Sequence, residues 1–363
     1  MGAGSGGGDG GGGDGGSGCS GEVSDDAACW TTEEYGVFVS SDHGDDSTAT
    51  GTRQFPYKTL SKALGASGSR NIYVCVGSDD YTERVFLDRP STAVHIYGGF
   101  ECENWTYDVA RRAQVTSPTQ IALRIQGATK GVTIENMEFT AANGSGDNAS
   151  SYGAFITDSK DVVLKRVKLT AGDGLDGADG ADGEKGADGV APGAEQNGEP
   201  ALCPGGTAHS KGGVAIDALC GSKGGDGGDG VVDSTGAPGF DGTPLVDRNR
   251  GENAADGSAG DSGKPGAVGT SGGAADAGPI SGIFTMTGFA PANGLDGKAG
   301  TAGQGGGGGG SSKGGSGCRG ASGGAGGMGG CGGSGAHGGA GGGASVGLLS
   351  WSSTVTLVAC EMV

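Results

Sequence analysis

The residues of this 363-residue chain that could do chemistry are few. Nine cysteines fall into close couples: Cys19 with Cys29, Cys75 with Cys102, Cys203 with Cys220, and Cys318 with Cys331. Cys360 is left over. So many cysteines point to an oxidising compartment, and the couples are disulfide candidates whose connectivity the sequence does not fix. None has C-x-x-C spacing and only four histidines occur, so zinc ligation is not the reading.

Carboxylates form the second pattern. Asp173, Asp176, Asp179 and Asp182 recur every third residue, and Gly224–Val232 (GGDGGDGVV) fits one copy of a nonapeptide calcium repeat. Oxygen ligands on one edge suit a hard cation such as Ca²⁺. A calcium site of that kind needs stacked copies, so the plainer role is to keep a glycine-rich rod soluble, and no cofactor is expected. His43, His95, His209 and His337 are scattered. G-x-S-x-G occurs around Ser271 and Ser322, without the strand and helix that a nucleophile elbow needs. Asp158, Asp161, Lys165 and Arg166 stand in and just after a turn, where charge is ordinary. Asn104, Asn143 and Asn148 lie in glycosylation sequons, which matter only in a eukaryotic secretory pathway.

The composition limits what could hold such groups. Hydrophobic residues are 34% and aromatics 5%, too few for a large conventional core throughout. The net charge of −19 disfavours nucleic acid and anionic membranes as partners. No stretch approaches the ~20 apolar residues of a membrane span. Residues 1–21 read as a flexible Gly/Ser/Asp linker, like the tether after the lipidated cysteine of bacterial lipoproteins; the expected location is extracellular or a bacterial surface, with an anchor upstream.

Residues 22–170 begin with a short strand (Tyr35–Ser40). A polar loop follows, then PYKTLSKAL, which reads as an amphipathic helix with Pro56 in its first turn and Leu60, Ala63 and Leu64 on one face. Short alternating strands come next: NIYVCVG, YTERVFL, AVHIYGGF, IALRIQG, VTIENMEFTA, GAFITDS and VVLKRVKLTA. Residues 122–141 align with 154–171, and Gly347–Val363 aligns with Gly153–Leu169 with one residue deleted. The same unit therefore occurs before and after residues 171–345, which makes that stretch an insertion into a repeat array that resumes at 346–363.

Within the insertion, glycine holds a three-residue register over Gly174–Gly189, Gly257–Gly272, Gly294–Gly309 and Gly314–Gly341. Polyproline II has three residues per turn, so such glycines share one edge and let backbones approach closely. Proline is too scarce for collagen. Disorder competes with a bundle of paired, antiparallel polyproline II runs, and the strict phase favours the bundle, in six principal runs. Connectors between runs include 274–292, whose Ile280, Ile283, Phe284, Met286 and Phe289 are free to dock. Thr301–Gly343 is nearly uncharged and offers a flat side for ice, a glycan, another protein or the rest of the chain.

The strand VFVS, the loop SDHGDD, Gly51, the motif F-P-Y-K-T-L-x-x-A-L and the strands that follow resemble the cap and first turns of right-handed parallel β-helix proteins of the pectin-lyase-like class. The resemblance covers about Tyr35–Thr170 and the last 17 residues. It implies an all-β solenoid with aliphatic ladders of Ile125, Ile134, Phe139, Phe155, Ile156, Val163 and Leu164. The insertion resembles glycine-rich springtail antifreeze proteins. No catalytic residue of the polysaccharide lyases and hydrolases in the class carries over. The expected function is therefore a non-enzymatic structural, adhesive or display role. A carbohydrate-active enzyme and an ice-binding protein are the alternatives.

Overall fold

The structure, a computed structural model, describes residues 19, 22–146, 149–204, 208–279 and 281–363. Most of the leader, Asn148 and Ile280 lie outside these residues. Two compact units emerge: one comprises residues up to Asp176, Gly282–Pro291 and Gly342–Val363; the other comprises Gly177–Ser281 and Ala292–Gly341.

Three parallel sheets build the first unit. The first sheet orders Gly36–Val39, Asn71–Val76, Val94–Glu101, Val132–Glu135, Val162–Lys165 and Val355–Val358. The second contains Ala113–Thr116, Met137–Thr140, Lys168–Thr170 and Glu361–Met362, and the third Val85–Asp88, Ile121–Gln126, Ser151–Thr157 and Ser345–Trp351. From Val94 onward the chain visits first, second and third sheet in turn, and each strand pairs with its equivalent one repeat away. Corners recur as well. Asn136, Arg166 and Ala359 occupy matching positions with φ of 53°, 52° and 50°. Asp158 and Ser352 match at another corner, at 49° and 48°. The left-handed backbone turns the chain from one sheet to the next within very few residues.

The side-chain period of two sends alternate residues inward. Ile96, Ile134 and Leu164 stack through the first sheet, Val115, Phe139 and Leu169 through the second, and Leu87, Ile125 and Ile156 through the third, all buried in one cluster. Two expected ladder residues differ. Val162 rather than Val163 faces inward beside Leu164, and Phe155 lies in a separate cluster with Tyr152 and Leu349. A one-residue change of phase moves a side chain to the opposite face, which is why contiguous apolar pairs mislead.

The helix spans Leu60–Ala66, later than Pro56 would start it. Thr59 Oγ1 accepts the Lys62 amide, and the Glu83 carboxylate accepts the Leu60 and Ser61 amides, so the open N–H groups of the first turn are satisfied. Leu60 and Ala63 are buried and Leu64 packs at the edge of the same core.

The C-terminal repeat pairs as the alignment requires except at its end, where Met362 rather than Val363 lies opposite Leu169, so that it answers residues 153–170. Leu348, Leu349 and Trp351 lie opposite Ala154, Phe155 and Thr157, and after one residue is dropped Val355 lies opposite Val162. The glycine-rich segment leaves after Thr170 in the second sheet and returns at Ser345 in the third. It replaces a corner that in the earlier repeats needs only the residues between Thr116 and Ile121 or between Thr140 and Ser151. One of its connectors is an antiparallel hairpin, Ile283–Thr285 with Gly288–Ala290, and belongs to the first unit.

The second unit consists largely of extended runs bonded at every third residue. Met328, Cys331, Ser334, His337 and Ala340 donate to the carbonyls of Val190, Ala187, Glu184, Ala181 and Ala178. The run 294–312 donates to three neighbours. Gly300, Gly303, Gly306 and Gly309 donate to Gly333, Gly330, Gly327 and Gly324; Thr301, Gln304, Gly307 and Gly310 to Thr270, Ala267, Lys264 and Asp261; Gly305, Gly308 and Ser311 to Thr243, Phe240 and Ala237. These three ladders are antiparallel, whereas Gly225 and Gly228 donate in parallel order to Gly306 and Gly309. Six consecutive glycines, Gly305–Gly310, fall where the run is most enclosed. A Cβ at 305, 307, 308 or 310 would overlap a neighbouring carbonyl.

The disulfides are Cys19–Cys29, Cys75–Cys102, Cys203–Cys318 and Cys220–Cys331. The couples 203–220 and 318–331 are thus corrected. Folding back brings Leu202 and Arg319 into mutual backbone hydrogen bonding and Gly329 onto Ser222 Oγ, so each cysteine meets its partner across runs. Cys360 is free, and its thiol donates to the Leu164 carbonyl. Four disulfides fit an oxidising environment, and no described helix is long and apolar enough to cross a membrane.

Candidate functional site

The outer face of the third sheet gathers the side chains best suited to bind a ligand. Register places Phe86, Arg124, Phe155 and Leu349 in one row, and Asp88, Gln126, Thr157 and Trp351 in the next. The Arg124 guanidinium lies 4.9 Å from the Phe155 ring centroid and 6.0 Å from that of Phe86, with Arg84 5.3 Å from Phe86. Tyr152 stacks on Phe155 at 5.2 Å, and its hydroxyl accepts the Phe289 amide of the hairpin at 2.7 Å.

A cavity of about 510 Å³ opens here, lined among others by Arg84, Gln120, Arg124, Ser150, Tyr152 and Phe289. Its lining offers several kinds of contact. Aromatic rings offer a flat apolar surface, the two guanidinium groups supply forked donors for hydroxyl or carboxylate oxygens, and Gln120 and Ser150 add donors and acceptors. Among the described residues no carboxylate lines it.

Charged residues gather elsewhere for other reasons. Glu135 is buried on the first sheet and is paired with Arg166 and, at 3.6 Å, with Lys165. Tyr107 donates to Glu135 Oε1 at 2.9 Å, and Arg166 Nε donates to Asn136 Oδ1 at 2.7 Å. Lys165 also pairs with Glu22, whose carboxyl it holds below its usual range by hydrogen bond and charge. Burial pushes the Tyr107 phenol up. The charged turn thus supplies Lys165 and Arg166 to a network that fastens covering segments, while Asp158 and Asp161 turn the chain. A smaller cavity, about 290 Å³, is lined by Asp42, His43, Glu101, Glu103 and Arg111. Two of its carboxylates are engaged: Asp42 accepts the Ser78 and Asp79 amides, and Glu101 pairs with Arg111 at 2.8 Å.

The remaining sequence candidates are spread out. Asp173, Asp176, Asp179 and Asp182 are exposed. Asp226 and Asp229 of the calcium-like repeat accept the amides of Ala215 and Gly212. Among the described residues no group of three or more His, Cys, Asp or Glu is placed to hold a metal. Ser271 lies in an extended run, as does Ser322, whose hydroxyl donates to the Lys211 carbonyl. His337 faces Asp296, and His95 is enclosed on the first sheet. The nearly uncharged segment is bonded on several sides by other runs of its unit. Of the connector residues, Phe289 docks beside Tyr152, whereas Ile283, Phe284 and Met286 are exposed.

The aromatic and arginine row escaped sequence reading because it depends on pairing between repeats. Its signal was present: Phe86, Arg124 and Phe155 each alternate with the inward residues of their strands. No protein-family model, curated protein or solved structure matches this chain.

Proposed function

We propose that this protein is a non-enzymatic extracellular display or adhesive protein that engages glycans through the outer face of its third sheet. In this reading the first unit is a right-handed parallel β-helix and the second is a bundle of polyproline II helices. The cyclic order of the sheets supports the former, and hydrogen bonding at every third residue supports the latter. The location on a bacterial surface, anchored through its leader, belongs to the same proposal. Disulfides crossing between runs suit a module held rigid outside the cell.

The observation that carries the glycan assignment is the Arg124–Phe155 row beside Tyr152 and Arg84, at a cavity of sugar-sized volume. Sugar rings present an apolar face to aromatics and a rim of oxygens to guanidinium donors. A glycan array with the intact chain, compared with the double variant Arg84→Ala/Arg124→Ala, tests it. Retention of a neutral or uronic oligosaccharide that falls at least tenfold in the variant is expected. Equal retention by both, or none by either, overturns the assignment, and release of new sugar ends from the bound glycan overturns the non-enzymatic part.

A further inference from the structure

From Ala302 onward the run 294–312 is enclosed by neighbouring runs except along one line. There, residues 257–272 form one wall, 321–334 the other, and Gly300, Gly303, Gly306 and Gly309 the floor. The floor has room. A Cβ on Gly306 or Gly309 would find its nearest neighbours at 3.5 and 3.6 Å, whereas one on Gly305, Gly307, Gly308 or Gly310 would overlap a carbonyl. The amides of Gly324, Gly327, Gly330 and Gly333 in one wall, and of Gly269 and Gly272 in the other, donate to no protein acceptor among the described residues. On the polyproline reading of these runs, on which this inference rests, three residues advance ~9.3 Å. The groove is therefore a ladder of free donors at the spacing at which such a run presents carbonyls. It corresponds to the unpaired edge strand of a sheet, which templates pairing with another chain.

The sequence contains one more run of the same type. Gly4, Gly7, Gly10, Gly13 and Gly16 keep the three-residue register, with Asp9 and Asp14 in free positions. That register holds over five glycines, enough to span the four of the floor. We propose that the groove binds the glycine-triplet leader, residues 1–18, of a second copy of this chain, its carbonyls accepting the amides of Gly324, Gly327, Gly330 and Gly333. The leader thereby links copies into an assembly.

The test uses the full chain, a version lacking residues 1–18, and the double variant Gly306→Ala/Gly309→Ala, whose added methyls fill the floor without a clash. Mass in solution and amide exchange at the four wall glycines are read together. Expected are self-association and slow exchange in the full chain, both lost in the other two proteins, and slow exchange restored in the shortened chain by a synthetic peptide of residues 1–18. Exchange that is equally fast in all three proteins overturns the docking. A full chain that stays monomeric with slow wall amides means that its own leader fills the groove, and overturns the second copy. Failure of glycan binding at the third sheet leaves this result unaffected.

Discussion

Gly308 lies so close to Asp226 that a Cβ on the glycine would overlap the aspartate's carbonyl oxygen. Two positions away, Gly306 has its nearest neighbour for such an atom at 3.5 Å. The six consecutive glycines are therefore not equivalent. Overpacking a fixed backbone costs about 1–3 kcal/mol. Gly308→Ala is expected to lower the denaturation midpoint by that amount or more, and Gly306→Ala to leave it nearly unchanged. Equal effects of the two substitutions in urea titrations count against the enclosed position of the run.

The disulfide pairing gives a sharper check. Peptide mapping without reduction is expected to recover Cys203 with Cys318 and Cys220 with Cys331. Each bond crosses between runs far apart in sequence, so its removal releases a long loop in the unfolded chain. Cys220→Ser with Cys331→Ser is expected to cost about 2–5 kcal/mol. Recovery of 203 with 220 would refute the arrangement of runs.

Much of the first unit was legible because its signals are local. Alternation at Val132–Glu135 and at Val162–Lys165 marks strands, and the likeness of residues 153–169 to 347–363 marked where the chain resumes, down to the deleted residue. What local signals lack is phase and partner. Val162 and Val163 are the same residue type, and only the neighbouring strand decides which faces inward. Cys203 and Cys220 are near in sequence, yet their partners are selected by how runs fold back. The outer face of the third sheet shares this property, since Phe86, Arg124 and Phe155 become a row only once register is set.

The core predicts a contrast between adjacent residues. Leu164 is fully buried between Ile134 and Leu357 in register, whereas Val163 is half-buried on the outer face. Leu164→Ala is expected to cost about 2–5 kcal/mol, as large-to-small changes in packed cores do. Val163→Ala is expected to cost well under half as much. Calorimetric melting that ranks the two the other way refutes the strand phase.

His95 predicts how the first unit responds to acid. Burial depresses its pKa below the ordinary 6.5, its Nδ1 has no hydrogen-bond partner, and the ring stacks on Tyr97 at 6.5 Å. The folded chain thus favours the neutral ring. A depressed pKa contributes stability that is whole above the unfolded value and is lost as pH falls through that value towards the folded one. The melting temperature is expected to fall between pH 7.5 and pH 5. Carboxylates with lowered pKa values, such as Asp42 and Asp45, contribute mainly below that window, with Asp45 at about 2. A His95→Gln variant, uncharged throughout, is expected to lose most of the decline between pH 7.5 and 5 while keeping the loss at lower pH. An unchanged slope in that variant places the acid sensitivity elsewhere.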